Sequence, residues 1–192
     1  VVVTSTRIDL PFNENSRTIQ IVTAADIQKL GITNVADALQ QVAGIDVRRQ
    51  GVNGMQADLY IRGGNFDQTL LLIDGIKVDD PQTGHHTLNF ALPIEVIERI
   101  EIIKGPAARI FGQNAFSGAV NIVTKNNSQN ELVTKFQAGS YGQFQAEATG
   151  SINLENSSHI VHFSKNFSEG YRENTDFDNQ NLFIKSQFKL LK

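Results

Sequence analysis

Two adjacent histidines, His85 and His86, follow Asp79 and Asp80 in the loop Asp79-Asp80-Pro81-Gln82-Thr83-Gly84-His85-His86-Thr87, where a metal site would first be sought. Neighbouring side chains on a loop point in different directions, and no third ligand follows at the spacing that zinc sites use. The stretch is read instead as a surface loop rich in turn formers. A second acidic group, Glu169, Glu173, Asp176 and Asp178, offers the oxygen ligands calcium takes but lacks the spacing of a recognised calcium loop, so solvated acids are the expectation. Serines and carboxylates are present, yet there is no nucleophile elbow, phosphate loop or zinc-helix motif. Gly63-Gly64 does not sit between a strand and a helix as a dinucleotide fingerprint would. With no cysteine, thiolate chemistry and disulfides are excluded. No catalytic residue, metal or cofactor is expected, and a net charge of −3 gives no reason to expect a nucleic-acid surface.

The elements that would position any binding surface fall into two halves. A chain of 192 residues can bury a good core as one domain or a little more, and no apolar run is long enough for a membrane-spanning helix. The first residues lack the basic start and apolar centre of a signal peptide, so an exported protein would be met here in mature or trimmed form. Up to Lys125, helical and strand patterns alternate with short glycine turns. From Glu131 onward only strand patterns appear, and Asn126-Asn127-Ser128-Gln129-Asn130 is read as a polar linker.

Val1 to Arg7 is β-prone and followed by Asp9 and Pro11, an edge strand or a free tail. Ile19 to Val22 reads as a strand. Thr23 with Asp26 makes a capping box for a helix that Gly31 ends, and Asn34 caps a second helix whose Val35, Ala38, Leu39 and Val42 share one face before Gly44. Ile45 to Arg48 is a short strand. In Ala57 to Arg62, Leu59 and Ile61 are expected on the core face, with Asp58, Tyr60 and Arg62 on the other. Thr69 to Val78 is a hairpin turned by Asp74-Gly75. Ile94 to Lys104 reads as one strand. Gly105-Pro106 turns the chain into a short helix, and Gly118 to Lys125 is a second strand.

In the second half, Phe144 to Leu154 alternates strictly, apolar or glycine at even positions and polar at odd ones. Leu132 to Ala138, His159 to Phe167 and Leu182 to Leu190 repeat the pattern more loosely. Such strands suit the wall of a transmembrane barrel, and equally a half-buried antiparallel sheet in a soluble protein. Gly139-Ser140-Tyr141-Gly142 and Glu155-Asn156-Ser157 are the short connections, and Ser168 to Asn179 is the long one.

The order Ile-Glu-Arg-Ile-Glu-Ile-Ile-Lys-Gly-Pro at 97–106, then Phe111-Gly112, then Gly-Ala-Val-Asn-Ile-Val-Thr-Lys at 118–125 resembles the end of the plug domain of TonB-dependent outer-membrane receptors. Ile61-Arg62-Gly63 followed by Leu71-Leu72-Ile73-Asp74-Gly75 matches the same family in the expected order. The resemblance implies an α+β plug, a mixed small sheet with short helices, followed by antiparallel strands of a truncated transmembrane β-barrel of about 22 strands. It implies a candidate TonB box at 1–7, a plug at 8–125, a linker at 126–130 and the first four barrel strands at 131–192.

Val1, Val2, Val3, Thr4 and Ser5 would then bind TonB, the inner-membrane energy-transducing partner, by adding a strand to its sheet. Arg62 and Lys104 would face the barrel wall and meet glutamates there. Lysine stands at 104 where the family usually has arginine, which removes the bidentate fork, and a local pairing of Arg62 with Asp58 or Glu101 stays open beside it. Asn53, Met55, Asn65, Phe66, Gln82, His85 and His86 would lie on loops facing a transported ligand such as an iron–siderophore or cobalamin. The implied location is the Gram-negative outer membrane, with the plug in the barrel lumen and lipid around the wall. Four strands do not close such a barrel, so a piece of a longer receptor is expected, its orphan strands pairing with another copy or folding as a small sheet. The competing class is a soluble α+β binding module.

Overall fold

In the computed structural model, residues 2–3, 10–11, 19–49, 57–78, 88, 92–105, 111–126 and 129–189 are described. The chain packs as two units, Val1–Phe90 with Ile97–Thr124, and Ala91–Val96 with Lys125–Lys192.

The N-terminal unit is built on a five-stranded mixed sheet. Its strands follow Val2–Val3 (β1) and Leu10–Pro11 (β2), and are Ile19–Thr23 (β3), Thr69–Ile73 (β6), Ile76–Val78 (β7), Ile97–Lys104 (β8) and Gly118–Thr124 (β9). The sheet order is β3-β8-β9-β6-β7, with β6 and β9 parallel and the other neighbours antiparallel. β9 lies in the middle and is buried along its whole length, which explains its run of small and branched apolar residues. On one face Ile19, Leu70, Leu72, Ile103, Ala115 and Ala119 form a cluster, with Ile21 and Phe111 packed against it.

Ala24–Lys29 (α1) and Val35–Gln40 (α2) are both capped as the side-chain chemistry requires. Thr23 Oγ1 accepts from the Asp26 amide while Asp26 Oδ2 accepts from the Thr23 amide at 3.0 Å, and this box holds the Asp26 carboxyl below the usual carboxylate range. Asn34 Oδ1 accepts from the Asp37 amide at 2.8 Å. Val35, Ala38, Leu39 and Val42 are all buried, as the helical spacing predicts. Ile45–Arg49 (β4) and Ala57–Ile61 (β5) form a separate antiparallel pair. The β6–β7 turn has φ of 50° at Asp74 and 79° at Gly75, the backbone that Asp-Gly favours. Its Asp74 carboxylate accepts from the Thr124 amide (2.8 Å) and hydroxyl (2.6 Å), stapling the turn to the end of β9.

Glu131–Ala138 (β10), Phe144–Asn153 (β11), Ser157–Ser168 (β12) and Phe177–Phe188 (β13) form a four-stranded antiparallel meander in chain order. The register puts Phe136, Ala146 and Lys165 in one row, and Leu132, Gly150, Val161 and Ile184 in another, all on one face. That face exposes Leu132, Phe136, Phe163, Leu182 and Ile184. The opposite face carries Lys135, Glu147, Thr149, His162, Ser164 and Asn181. His162 is fully buried there and meets Thr149 Oγ1 through Nδ1 at 2.7 Å.

Three expectations need correction. Ile94–Val96 is a turn of 3-10 helix rather than the start of a strand, so β8 begins at Ile97. Asp58 is 4% exposed and so is not presented to solvent, although it shares its face of the β4–β5 pair with half-buried Tyr60 and with exposed Asp46 and Arg48. The final hairpin extends its ladder to Ser168↔Phe177, so the long connection is shorter than Ser168 to Asn179.

Candidate functional site

Arg62 is the residue whose backbone most needs explanation. It leaves β5 with φ of 51°, a left-handed conformation that costs an arginine energy which glycine avoids, and the position is held by its amide donating to Gly44 O at 2.9 Å. Next to it, Gly64 sits so close to Ser117 that an added Cβ would stand 2.3 Å from the Ser117 Cβ. The turn therefore admits no side chain there, and it fixes where the guanidinium emerges.

Lys104 ends β8 beside it. Its Nζ donates to Gln20 Oε1 at 2.7 Å and to Ala43 O. Burial, and secondarily the positive charge of Arg62, pull the Lys104 ammonium below its ordinary pKa. Two elements far apart in sequence thus bring two cations together, and among the described residues neither pairs with a carboxylate. Of the local partners considered for Arg62, Glu101 is engaged elsewhere, fully buried and accepting from Arg99 Nε at 2.9 Å and Asn121 Nδ2 at 3.4 Å, and Asp58 is buried within β5.

Arg62 also lines a cleft with Gly44, Ile45, Asp46, Arg48, Tyr60 and Asn65. Arg48 lies 4.5 Å over the Tyr60 ring and pairs with Asp46 at 2.9 Å, and Tyr60 meets Phe66 edge-on with ring centres 6.4 Å apart. Asn65 caps the 3-10 turn Phe66–Gln68 with a capping box. The structure thus gathers Arg62, Asn65 and Phe66 of the expected residues around one cleft, with Lys104 beside Arg62. It adds Asp46, Arg48 and Tyr60, which share the β4–β5 face opposite Leu59. The signal for these was the period-two alternation across a register only the hairpin reveals, Asp46↔Tyr60.

Val2 and Val3 form β1, paired with Leu10–Pro11. Val1, Thr4, Ser5, Asn53, Met55, Gln82, His85 and His86 lie outside the described residues, as does the stretch 106–110 read as the start of a short helix. Among the described residues no group of three or more histidines and carboxylates gathers as metal ligands. Asp178 of the acidic group pairs with Lys165 at 3.2 Å.

A mixed-sheet unit carrying two adjacent cations is followed in the chain by an antiparallel meander that is apolar on one face and polar on the other, the order of elements that a plug and the first strands of a barrel wall would have. The TonB-dependent receptor plug domain family model matches residues 11–119, and the chain belongs to that family.

It is 30% identical over 180 residues to the vitamin B12 transporter BtuB of Vibrio vulnificus strain CMCP6, covering 93% of this chain and 28% of that protein. It is 31% identical over 134 residues to BtuB of Vibrio cholerae O395, covering 70% and 22%. The chain therefore spans under a third of the length of these curated relatives. The ferripyoverdine receptor of the Pseudomonas aeruginosa outer membrane superposes with a TM-score of 0.79 at 19% identity, over 98% of this chain and 25% of that one. The alcaligin outer-membrane receptor FauA of Bordetella pertussis superposes at 0.77 and 18% identity, over 98% and 32%. At those identities the likeness is one of fold.

Proposed function

We propose that the chain is the plug and first wall strands of a TonB-dependent outer-membrane receptor that imports a scarce ligand, cobalamin or an iron chelate, and that it has no enzymatic role. The carrying observation is that one continuous chain contains both the family's plug and, directly after it, strands with an apolar exposed face and a polar opposite face. A surface of exposed leucine, isoleucine and phenylalanine that is costly in water is stable against lipid.

In this reading the polar face looks into the lumen, where the plug sits. Val1 to Ser5 reach TonB by strand addition, and energy from the inner membrane opens a path. Arg62 and Lys104 meet carboxylates of the barrel wall, which would supply the counter-charge that the described residues do not give them. The strained φ of Arg62 supports this, because strain persists where the surroundings require it. Asn65 and Phe66, with Asn53, Met55, Gln82, His85 and His86, face the ligand.

The test is deletion of residues 1 to 6 in the intact receptor, with labelled cyanocobalamin and ferric siderophores as probes. Retained surface binding with lost uptake supports the reading. Unchanged uptake overturns the assigned TonB contact, and no binding of any probe overturns the receptor assignment.

A further inference from the structure

Residues 92–96 precede β8 directly in sequence, yet they group with the strand unit. The Lys125 amide donates to Val96 O at 2.8 Å, one step beyond the Ile97↔Thr124 end of the β8–β9 ladder, and the contact with the meander is made by Lys135 Nζ, 3.3 Å from Glu95 Oε1. Lys135 is the direct cross-strand partner of Glu147, and its Nζ is 3.8 Å from Glu147 Oε2. Gln145 donates to the other Glu147 oxygen. One lysine on the polar face therefore serves two carboxylates, one from the sheet and one from the 3-10 turn. The β8–β9 ladder has its register shift between Ile97 and Arg99, where the chain leaves this clamp.

We propose that residues 92–96 are a strap clamped to the barrel wall through Glu95–Lys135–Glu147, which stays with the wall when the N-terminal unit is displaced or unfolded. The inference rests on the assignment of β10–β13 as wall strands, and it divides the plug of that reading into a displaceable body and a fixed strap. Cooperative units open together at their own free energy, so a segment tied to the sheet by an ion pair opens with the sheet. Lys135 matters more than Glu147. Without it two acids face each other with no cation between them, whereas loss of Glu147 leaves the Glu95–Lys135 contact in place.

The experiment is amide hydrogen exchange read by mass spectrometry on the intact receptor through a urea gradient. In urea that opens β8, the amides of Leu92, Ile94, Glu95 and Val96 remain protected together with those of β11. Both Lys135→Met and Glu95→Gln speed exchange of 92–96 by on the order of ten- to a hundredfold, while Lys135→Arg and Glu147→Gln leave it near wild type. Glu95→Gln is the cleaner variant, because it leaves the sheet's own side chains intact should Lys135→Met disturb the wall. Exchange of 92–96 in step with β8 in the wild type would overturn the strap, as would unaltered exchange in Glu95→Gln. Neither result bears on ligand uptake, which tests the receptor assignment separately.

Discussion

Gly118→Ala gives the sharpest check on how the plug sheet is packed. Gly118 opens β9 opposite Lys104 and beside Thr69, and its φ is not in the left-handed region. On backbone entropy alone, replacing a strand glycine with alanine should stabilise by roughly 0.5–1 kcal/mol. The surroundings reverse that sign. A Cβ built at Gly118 falls 2.4 Å from Ile103 O and 3.0 Å from Ile61 Cδ1. The first neighbour is backbone of a buried, hydrogen-bonded strand, so it cannot swing aside as a side chain would, and overpacking of this kind costs about 1–3 kcal/mol. The net expectation is a loss near the upper part of that range, less the entropic gain.

Amide exchange of β8 in the intact protein is the assay. Opening of the Ile102–Lys104 amides should become roughly five- to a hundredfold faster, given that about 1.4 kcal/mol is a factor of ten. Gly150→Ala serves as the contrast, because the nearest atom to its Cβ is Leu132 Cδ1 at 3.9 Å, an ordinary contact. Protection that is unchanged or improved in Gly118→Ala would refute the close approach of β8, β9 and β5 on which the placement of Arg62 and Lys104 depends.

Two further outcomes are expected. In the 192-residue chain by itself, where no wall carboxylate meets Lys104, its depressed pKa means that the unfolded chain binds more protons between that lowered value and the ordinary one near 10.5, so stability of the plug rises with pH across that window. Urea titrations at successive pH values should show the slope in wild type and its loss in Lys104→Met, and a wild-type slope of opposite sign would contradict the burial of this ammonium. If the exposed face of β10–β13 meets lipid, Val161→Arg should destabilise the folded protein in bilayers by roughly 2–4 kcal/mol while Asn181→Arg, on the polar face, costs little. Equal effects in a folding titration would favour the soluble module instead.

Much of the fold is local and was therefore legible in the residues. The caps at Thr23 and Asn34 are i to i+3 side-chain bonds, and the Asp74-Gly75 turn depends on the φ that those two residues tolerate. Alternation along Phe144–Asn153 fixes which side chains share a face once a strand forms, because the period is two. The ordered motifs around Arg62, Asp74 and Lys104 carried the family, which no single one of them could. What stayed hidden was set by partners distant in sequence. Asp58 is buried although its strand alternates, and Asp46, Arg48 and Tyr60 meet only because β4 and β5 pair in one register.

By itself, then, the order of residues determined the caps, turns, strand faces and family, since each depends on neighbours within a few positions or on a motif read in line. Only the tertiary structure decided that Arg62 and Lys104, forty-two positions apart in number, stand side by side as two cations without a carboxylate among the described residues. It likewise decided that Ile94–Val96 leaves the apolar run it shares with β8 as a 3-10 turn, with Glu95 paired to Lys135 of the meander. The physical reason is the same in both cases: a charge or an apolar face is assigned its neighbour by the sheet order and register, and those are settled by burial summed over the whole sheet and not by any local preference.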